Sequence, residues 1–240
     1  MTSWLNTLLF GYYPYLCLTA FFLGSMLRFD RDQYTWKSDS SQMLRQGSLR
    51  WGSNLFHIGV LGIFFGHIGG LLTPLEVWHT LGLSMVNKQM IAIYGGGTCG
   101  VLGLTGALLL AQRRLGDVRI LKNSSPMDII ILLLLAAQLA LGLLTIPVSL
   151  QHMNGGEMIK LVEWAQHIVT FRGSAADYLA DVSILFKLHL FLGLTIALIF
   201  PFTRLVHVWS GFGALTYLVR PYQMVRARRL NLPAGHNLPQ

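Results

Sequence analysis

Four histidines lie within two strongly apolar stretches of this chain, two in each stretch. His57 and His67 belong to NLFHIGVLGIFFGHIGGLLT, and His189 and His207 belong to ILFKLHLFLGLTIALIFPFTRLVHVWS. An ionisable side chain inside a membrane-length apolar segment is costly and usually has a functional reason. A single histidine in such a segment can simply hydrogen-bond a neighbouring helix. Two pairs on two segments instead indicate metal ligands, and hence electron transfer through a membrane.

Two imidazoles at one level match the axial ligands of a haem better than a bare metal site. Zinc and copper sites normally need three or four protein ligands close together. Two histidines and the four porphyrin nitrogens complete the coordination of iron, which favours electron transfer over oxygen chemistry. The chain has two cysteines and no CxxCH motif. The pattern therefore predicts two haems of the b type, bound without covalent attachment.

Five apolar runs are long enough to cross a membrane as helices. Of the 240 residues, 53% are hydrophobic and 12% are charged, a balance typical of membrane proteins. About 20 apolar residues in a helix span the hydrocarbon core of a bilayer. We therefore predict an all-α integral membrane bundle of five transmembrane helices, forming a single domain over residues 1–240. The predicted spans are 4–27, 54–73, 89–112, 127–148 and 184–210, followed by a basic tail at 211–240.

The basic residues are distributed unevenly between the two sides of this bundle. Of the 18 Lys and Arg residues, fourteen fall on one side and four on the other. The positive-inside rule then predicts an N-terminus outside, in the periplasm, and a C-terminus in the cytoplasm. The net charge of +8 is explained in this way without nucleic acid. The basic tail either enforces this topology or contacts anionic membrane lipid or a protein partner.

The topology also determines which histidines form a pair. The second and fifth spans run antiparallel, so His57 and His207 are expected near the cytoplasmic side, and His67 and His189 near the outer side. Eighteen residues are five whole turns, which predicts that His189 and His207 project from one face of their helix. The two intervals differ, at roughly 15 Å and roughly 27 Å of helix rise. We expect a bend at Pro201 to absorb part of the difference.

Small residues recur at helical spacing on the second and third spans. Close helix–helix packing through small residues is the favoured interpretation, with the two stripes facing one another. The first stripe is Gly59, Gly62, Gly66 and Gly69, and the second is Gly96, Gly100, Gly103 and Ala107.

Short motifs spread along the chain carry a family resemblance. They are RFD at 28–30, QYTW at 33–36, SSQML at 40–44, NLFHIG at 54–59, GIFFGH at 62–67, LGLLTIP at 141–147 and QHM at 151–153. Together they resemble the gamma subunit of respiratory nitrate reductase, a membrane di-haem cytochrome b. The match is specific because it combines the histidines with unrelated loop sequence over the whole chain.

This resemblance implies that His57 and His207 hold the haem nearer the cytoplasm, and that His67 and His189 hold the haem nearer the outer face. It implies quinol oxidation at the outer face and electron flow inward to an iron–sulfur beta subunit. A molybdenum-containing alpha subunit would then reduce nitrate to nitrite. The chain would thus be a subunit of a quinol:nitrate oxidoreductase in the bacterial inner membrane. It has no cysteine clusters of its own for the later steps.

Lys88 is the best candidate for a quinol contact. It begins the third span on the outer side, level with His67 and His189, and its ammonium can donate to a quinone oxygen. The alternative is a lysine that extends its ammonium to the membrane surface at a helix start. Gly66, beside His67, is a second candidate, because it would leave room for the quinone ring. Glycine packing explains Gly66 equally well.

Two other functions remain open at this point. The same di-haem bundle could anchor another membrane oxidoreductase, of the formate dehydrogenase or hydrogenase type. A transporter or an assembly protein could instead keep its histidines for structural reasons and bind no haem. A reduced-minus-oxidised absorption spectrum separates that last class from the others.

Overall fold

The computed structural model describes residues 3–32 and 46–210. The chain divides into two compact units, Met1–Val206 and His207–Gln240. Of the second unit, only the helical residues 207–210 are described. The motifs at 33–36 and 40–44 and the basic tail at 211–240 lie outside the described residues. The single domain over 1–240 therefore stays a prediction.

Within the described ranges the chain is helical and contains no strand. The helices are α1 (Ser3–Thr7), α2 (Tyr13–Arg31), α3 (Gln46–Leu72), α4 (Leu75–Thr80), α5 (Met85–Gly116), α6 (Val118–Lys122), α7 (Pro126–Gln151), α8 (Gly156–Val169) and α9 (Ile184–Ile199). A π-helical turn at Leu8–Tyr12 joins α1 to α2, and 3-10 segments occupy Ala175–Leu179, Phe200–Phe202 and Arg204–Val206.

Five helical segments in the described part of the chain are long and apolar enough to cross a membrane. They are Trp4–Arg31, Gly47–Leu72, Met85–Gly116, Pro126–Gln151 and Ile184–Phe202. The predicted all-α fold and its five spans are confirmed. The first four segments are longer than the predicted apolar spans, because the helices continue into polar residues at their ends. Capping residues stabilise some of these ends. At the start of α5, the Ser84 hydroxyl accepts a hydrogen bond from the Asn87 N–H at 3.2 Å.

The fifth span differs from its prediction. Its α-helix ends at Ile199, and two short 3-10 segments follow it, at Phe200–Phe202 and Arg204–Val206. Pro201 has no backbone N–H, and Thr203 is extended, with φ −114° and ψ 174°. The predicted end of this span at 210 is therefore wrong. The count of five whole turns from His189 to His207 is wrong with it, because the helix does not continue between them.

The long helices pack in the spatial order α3, α5, α7, α9 and α2. The closest packing lies between α3 and α5, where two glycines face the neighbouring backbone. A Cβ added to Gly59 would lie 2.5 Å from the Cys99 carbonyl oxygen, and one added to Gly106 would lie 2.7 Å from the Gly52 carbonyl oxygen. These contacts let the two backbones approach closely.

The predicted glycine stripes meet over only part of their length. Gly59 meets Gly103 as expected, but a Cβ on Gly100 would approach Leu143 of α7 instead. At Gly66, Gly69 and Gly96, an added Cβ would meet nothing within 4 Å. The stripes are therefore packing surfaces near Gly59 and open surfaces nearer the end of α3.

α8 and the 3-10 segment that follows it cover one end of the bundle. Gln166 of α8 donates to the Thr73 carbonyl oxygen at 3.1 Å, just after α3 ends. The Trp164 indole N–H donates to the Phe10 carbonyl oxygen at 2.9 Å, within the π-helical turn. Asn6 donates to the Ala176 carbonyl oxygen at 2.6 Å. The first bond ties this cover to the end of α3, and the other two tie it to the first span.

Candidate functional site

His67 and His189 lie close together, although α3 and α9 make no extensive backbone contact within the described residues. Their ring centroids are 6.2 Å apart and their planes are inclined by 40°. A metal lies about 2 Å from an imidazole nitrogen and about 3 Å from the ring centre, so two rings on one metal have centres about 6 Å apart. The separation of this pair therefore fits two axial ligands of one iron.

The imidazoles of His57 and His67 are oriented by their own helix. His57 donates from Nδ1 to the Ser53 carbonyl oxygen at 2.7 Å, and His67 donates from Nδ1 to the Ile63 carbonyl oxygen at 2.8 Å. A carbonyl oxygen only accepts, so Nδ1 carries the hydrogen and Nε2 keeps the lone pair. Histidines that bind metals commonly make this second bond, because it sets the tautomer and the ring orientation.

His189 is held in a different way. Gln138 of α7 donates from Nε2 to the His189 carbonyl oxygen at 3.1 Å, and the same nitrogen lies 3.4 Å from the ring Nε2. The buried Nδ1 of His189 has no hydrogen-bond partner in the described structure. A Cβ added to Gly142, one turn further along α7, would lie 3.0 Å from the ring. Gln138 and Gly142 were not among the residues predicted from the sequence.

The pairing of His57 with His207 stays a prediction. His57 lies in the first compact unit, ten residues before His67 on α3, and is exposed. His207 begins the helical residues 207–210 of the second unit. Among the residues that the structure describes, no three His, Cys, Asp or Glu side chains come together as a bare metal site would require.

Lys88 lies in the first turn of α5 with its ammonium buried. The residue is 4% exposed, and no hydrogen bond to its Nζ is found within the described structure. Nζ lies 5.0 Å from the centre of the Trp78 ring, which is a cation–π contact. A lysine that extended to the membrane surface would expose its ammonium. The buried position of Lys88 therefore favours a ligand contact over that explanation.

Trp78 is the residue beside Lys88 that the sequence did not single out. Its indole Nε1 is buried and has no hydrogen-bond partner in the part of the chain described. Gly66 has open space where a side chain would extend. No described residue packs against this position, and its role beside His67 stays a prediction.

Helices of this length and hydropathy define a multi-pass membrane protein. Residues 6–228 match the model of a protein family described as the nitrate reductase gamma subunit, so the chain belongs to that family. The chain is therefore a membrane subunit of a nitrate reductase, which is an oxidoreductase complex. The resemblance carried by the motifs is confirmed.

Individual relatives match nearly end to end. The respiratory nitrate reductase 2 gamma chain of Escherichia coli (strain K12) is 53% identical over 232 residues, covering 95% of this chain and all of the relative. The respiratory nitrate reductase 1 gamma chain of the same organism is 51% identical over 94% of this chain and 99% of its own length. The nitrate reductase gamma chain of Bacillus subtilis (strain 168) is 38% identical over 92% and 98%.

Proposed function

We propose that this chain binds two b-type haems, oxidises quinol at the outer face and transfers electrons inward across the membrane. The observation that carries the proposal is the 6.2 Å separation of the His67 and His189 rings. Each bound haem would supply an iron centre that carries one electron at a time. The residues of the chain hold these centres, bind the quinol and exclude water.

The four histidines would hold the haems in two pairs. His67 and His189 hold the one nearer the outer face, and His57 and His207 hold the one nearer the cytoplasm. His57 and His67 are ten positions apart, or roughly 15 Å along α3, so the two sites would lie at different depths. The Nδ1 bonds of His57 and His67 support this assignment, because they leave Nε2 as the nitrogen that binds iron.

Lys88 would donate a hydrogen bond to a quinol oxygen. A buried ammonium without a polar partner is costly, and an oxygen of a bound quinol would supply the missing acceptor. Trp78 holds the ammonium in place through its ring face. Gly66 leaves space beside His67, so that the quinol ring can approach this pair. Oxidation of the quinol releases two electrons and two protons, and the protons leave to the outer side.

The partners would be the iron–sulfur beta subunit and the molybdenum-containing alpha subunit of a nitrate reductase, which reduces nitrate to nitrite in the cytoplasm. Membership of the gamma subunit family favours these partners over a formate dehydrogenase or a hydrogenase. The charge distribution supports an N-terminus outside and a C-terminus in the cytoplasm of a bacterial inner membrane.

The decisive experiment is to purify the chain with its native partner subunits and to measure haem, iron and molybdenum per complex. We expect two haems per chain and molybdenum in the complex. We also expect His189→Ala and His57→Ala each to remove one haem and to leave the other. A complex without haem would contradict the proposal, and one without molybdenum would contradict the choice of partners.

His152→Ala is the matched control. His152 is exposed, follows α7 directly and makes a local bond from its Nδ1 to the Val148 carbonyl oxygen at 3.1 Å. This variant should retain both haems. Loss of haem from it, equal to that in His189→Ala, would show that haem loss reports general damage to the protein.

A further inference from the structure

Gln138 is a polar side chain in the middle of the apolar part of α7. Residues 129–144 of α7 contain no other polar side chain. A polar side chain at the centre of a membrane span has to find a partner, and it commonly marks a functional position. The partner that Gln138 finds is His189, 51 residues further along the chain.

Gln138 contacts His189 at two atoms. Its Nε2 donates to the His189 carbonyl oxygen at 3.1 Å and lies 3.4 Å from the ring Nε2. A Cβ on Gly193 would lie 3.1 Å from the same amide nitrogen. Gly193 therefore gives the amide room to reach the α9 backbone. The bond to the carbonyl oxygen is independent of which ring nitrogen binds a metal.

Gly142 leaves space for the His189 imidazole. A Cβ at this position would lie 3.0 Å from Cε1 and 3.6 Å from Nδ1, which is tighter than an ordinary contact. An alanine here would displace the ring by a few tenths of an ångström. The surface of α7 thus limits the space that the His189 ring can occupy.

His189 differs in this respect from the two candidate ligands on α3. His57 and His67 each donate to a carbonyl oxygen four residues earlier in their own helix. His189 has no such bond, since its Nδ1 is without a partner among the described residues. Its orientation depends on a neighbouring helix, and a change on α7 can therefore alter this ligand without changing α3 or α9.

We propose that Gln138 and Gly142 are positioning residues for His189, and that they tune the haem that His189 and His67 hold. The inference rests on the proposed function. Residues that orient a ligand and polarise it change the affinity or the properties of a metal centre by about tenfold or more when they are removed. The effect should be confined to this haem, because neither residue contacts α3 through any bond described above.

The test is a redox titration of both haems, followed by their absorption bands, in the purified full complex. Gln138→Leu removes the amide and keeps an apolar side chain of similar size. Gly142→Ala adds one methyl group against the ring. We expect both variants to retain two haems, and the ratio of oxidised to reduced haem at one site to change about tenfold at a fixed potential. For a one-electron couple this is a shift of about 59 mV.

Two controls separate positioning from general packing. Thr170→Val removes a hydroxyl at the end of α8, away from α7, that donates to the Gln166 carbonyl oxygen at 2.6 Å. Gly97→Ala adds a methyl group 3.2 Å from the Ile146 side chain, far in sequence from any candidate ligand. Both controls should keep the two wild-type midpoint potentials. Selective loss of the His67–His189 haem in a Gln138 or Gly142 variant would also support the inference.

The inference is overturned if both variants titrate like the wild type, or if the controls shift as much as the variants do. Equal loss of both haems from Gln138→Leu would indicate a general packing role and would also overturn it. A wild-type complex that holds no haem would overturn the proposed function, and this inference with it. A wild type with two haems and unshifted variants would overturn only the inference.

Discussion

Arg28 of α2 binds the chain where α9 ends, by donating from Nη1 to the Pro201 carbonyl oxygen at 2.6 Å. The same atom donates to the Thr203 carbonyl oxygen at 2.9 Å. The end of a helix leaves carbonyl groups without partners inside the helix, and a guanidinium supplies several donors. One turn earlier, Gly24 gives Pro201 room, since a Cβ there would lie 2.7 Å from the proline ring. The first span therefore stabilises the end of the fifth.

Arg28→Ala should destabilise the protein, because two carbonyl oxygens in an apolar setting lose a charged donor. The expected loss is about 2 kcal/mol of unfolding free energy, as for hydrogen bonds to charged groups. Thermal unfolding of the purified complex measures it. Arg172→Ala, at an exposed residue after α8, is the control and should change the midpoint little. Equal stability of the two variants would show that the bonds to Pro201 and Thr203 contribute nothing.

Gly59→Ala should separate α3 from α5. Its methyl group would collide with the backbone at Cys99 and Gly103, which cannot move aside as a flexible side chain can. Overpacking of this kind typically costs about 1–3 kcal/mol. Gly69→Ala, on the same helix with nothing within 4 Å of the new methyl group, is the matched control. Thermal unfolding in detergent should rank Gly59→Ala well below Gly69→Ala, and the reverse order would contradict the packing described.

Lys88→Ala should retain both haems and slow quinol oxidation about a hundredfold, as when one donor to a developing negative charge is removed. Nitrate reduction by an artificial donor that delivers electrons directly to the partner subunits should not change. Lys160→Ala, at a lysine paired with Glu157 on α8, is the control for loss of a charge. Normal quinol turnover in Lys88→Ala with intact haem would rule out the proposed contact.

Trp78 should act through Lys88. Trp78→Phe keeps a ring face for the ammonium but removes the buried indole N–H, whereas Trp78→Leu removes both. A cation–π contact contributes about 0.5–2 kcal/mol, so we expect quinol turnover to fall by about twofold to thirtyfold in Trp78→Leu and less in Trp78→Phe. Steady-state kinetics with quinol measures both variants. If Trp78→Leu retained wild-type kinetics, the cation–π contact would have no role in quinol oxidation.

Turnover should generate a membrane potential. Protons from quinol leave on the outer side while electrons cross inward, so charge is separated across the bilayer. Vesicles that contain the complex should give a voltage-sensitive dye response when quinol and nitrate are added. The sign of the response should show that the cytoplasmic side of the membrane becomes negative. An uncoupler should abolish the signal and leave turnover in place. Turnover without any potential would contradict the predicted orientation of the chain.

The sequence predicted the helices better than it predicted the contacts between them. The spans follow from long apolar runs, which are visible one segment at a time. Gln138 and Trp78 were missed because their partners, His189 and Lys88, lie on other helices, and a single sequence does not reveal which faces meet. Pro201 was recognised as a site of distortion. That the helix ends there also depends on Arg28, which binds the carbonyl oxygens that the break exposes.

The π-helical turn at Leu8–Tyr12 has a consequence for how the first span is drawn on a helical wheel. A π turn accommodates one residue more than an α turn, so it shifts the phase of everything before it by about 100°. A single helical wheel drawn through residues 4–31 would place Asn6 about 100° away from its actual direction. With the shift, its amide reaches the Ala176 carbonyl oxygen. Deleting one residue from Leu8–Tyr12 would restore a regular α-helix and keep that amide facing Ala176, whereas an α-helix through all these residues would turn it away by about 100°.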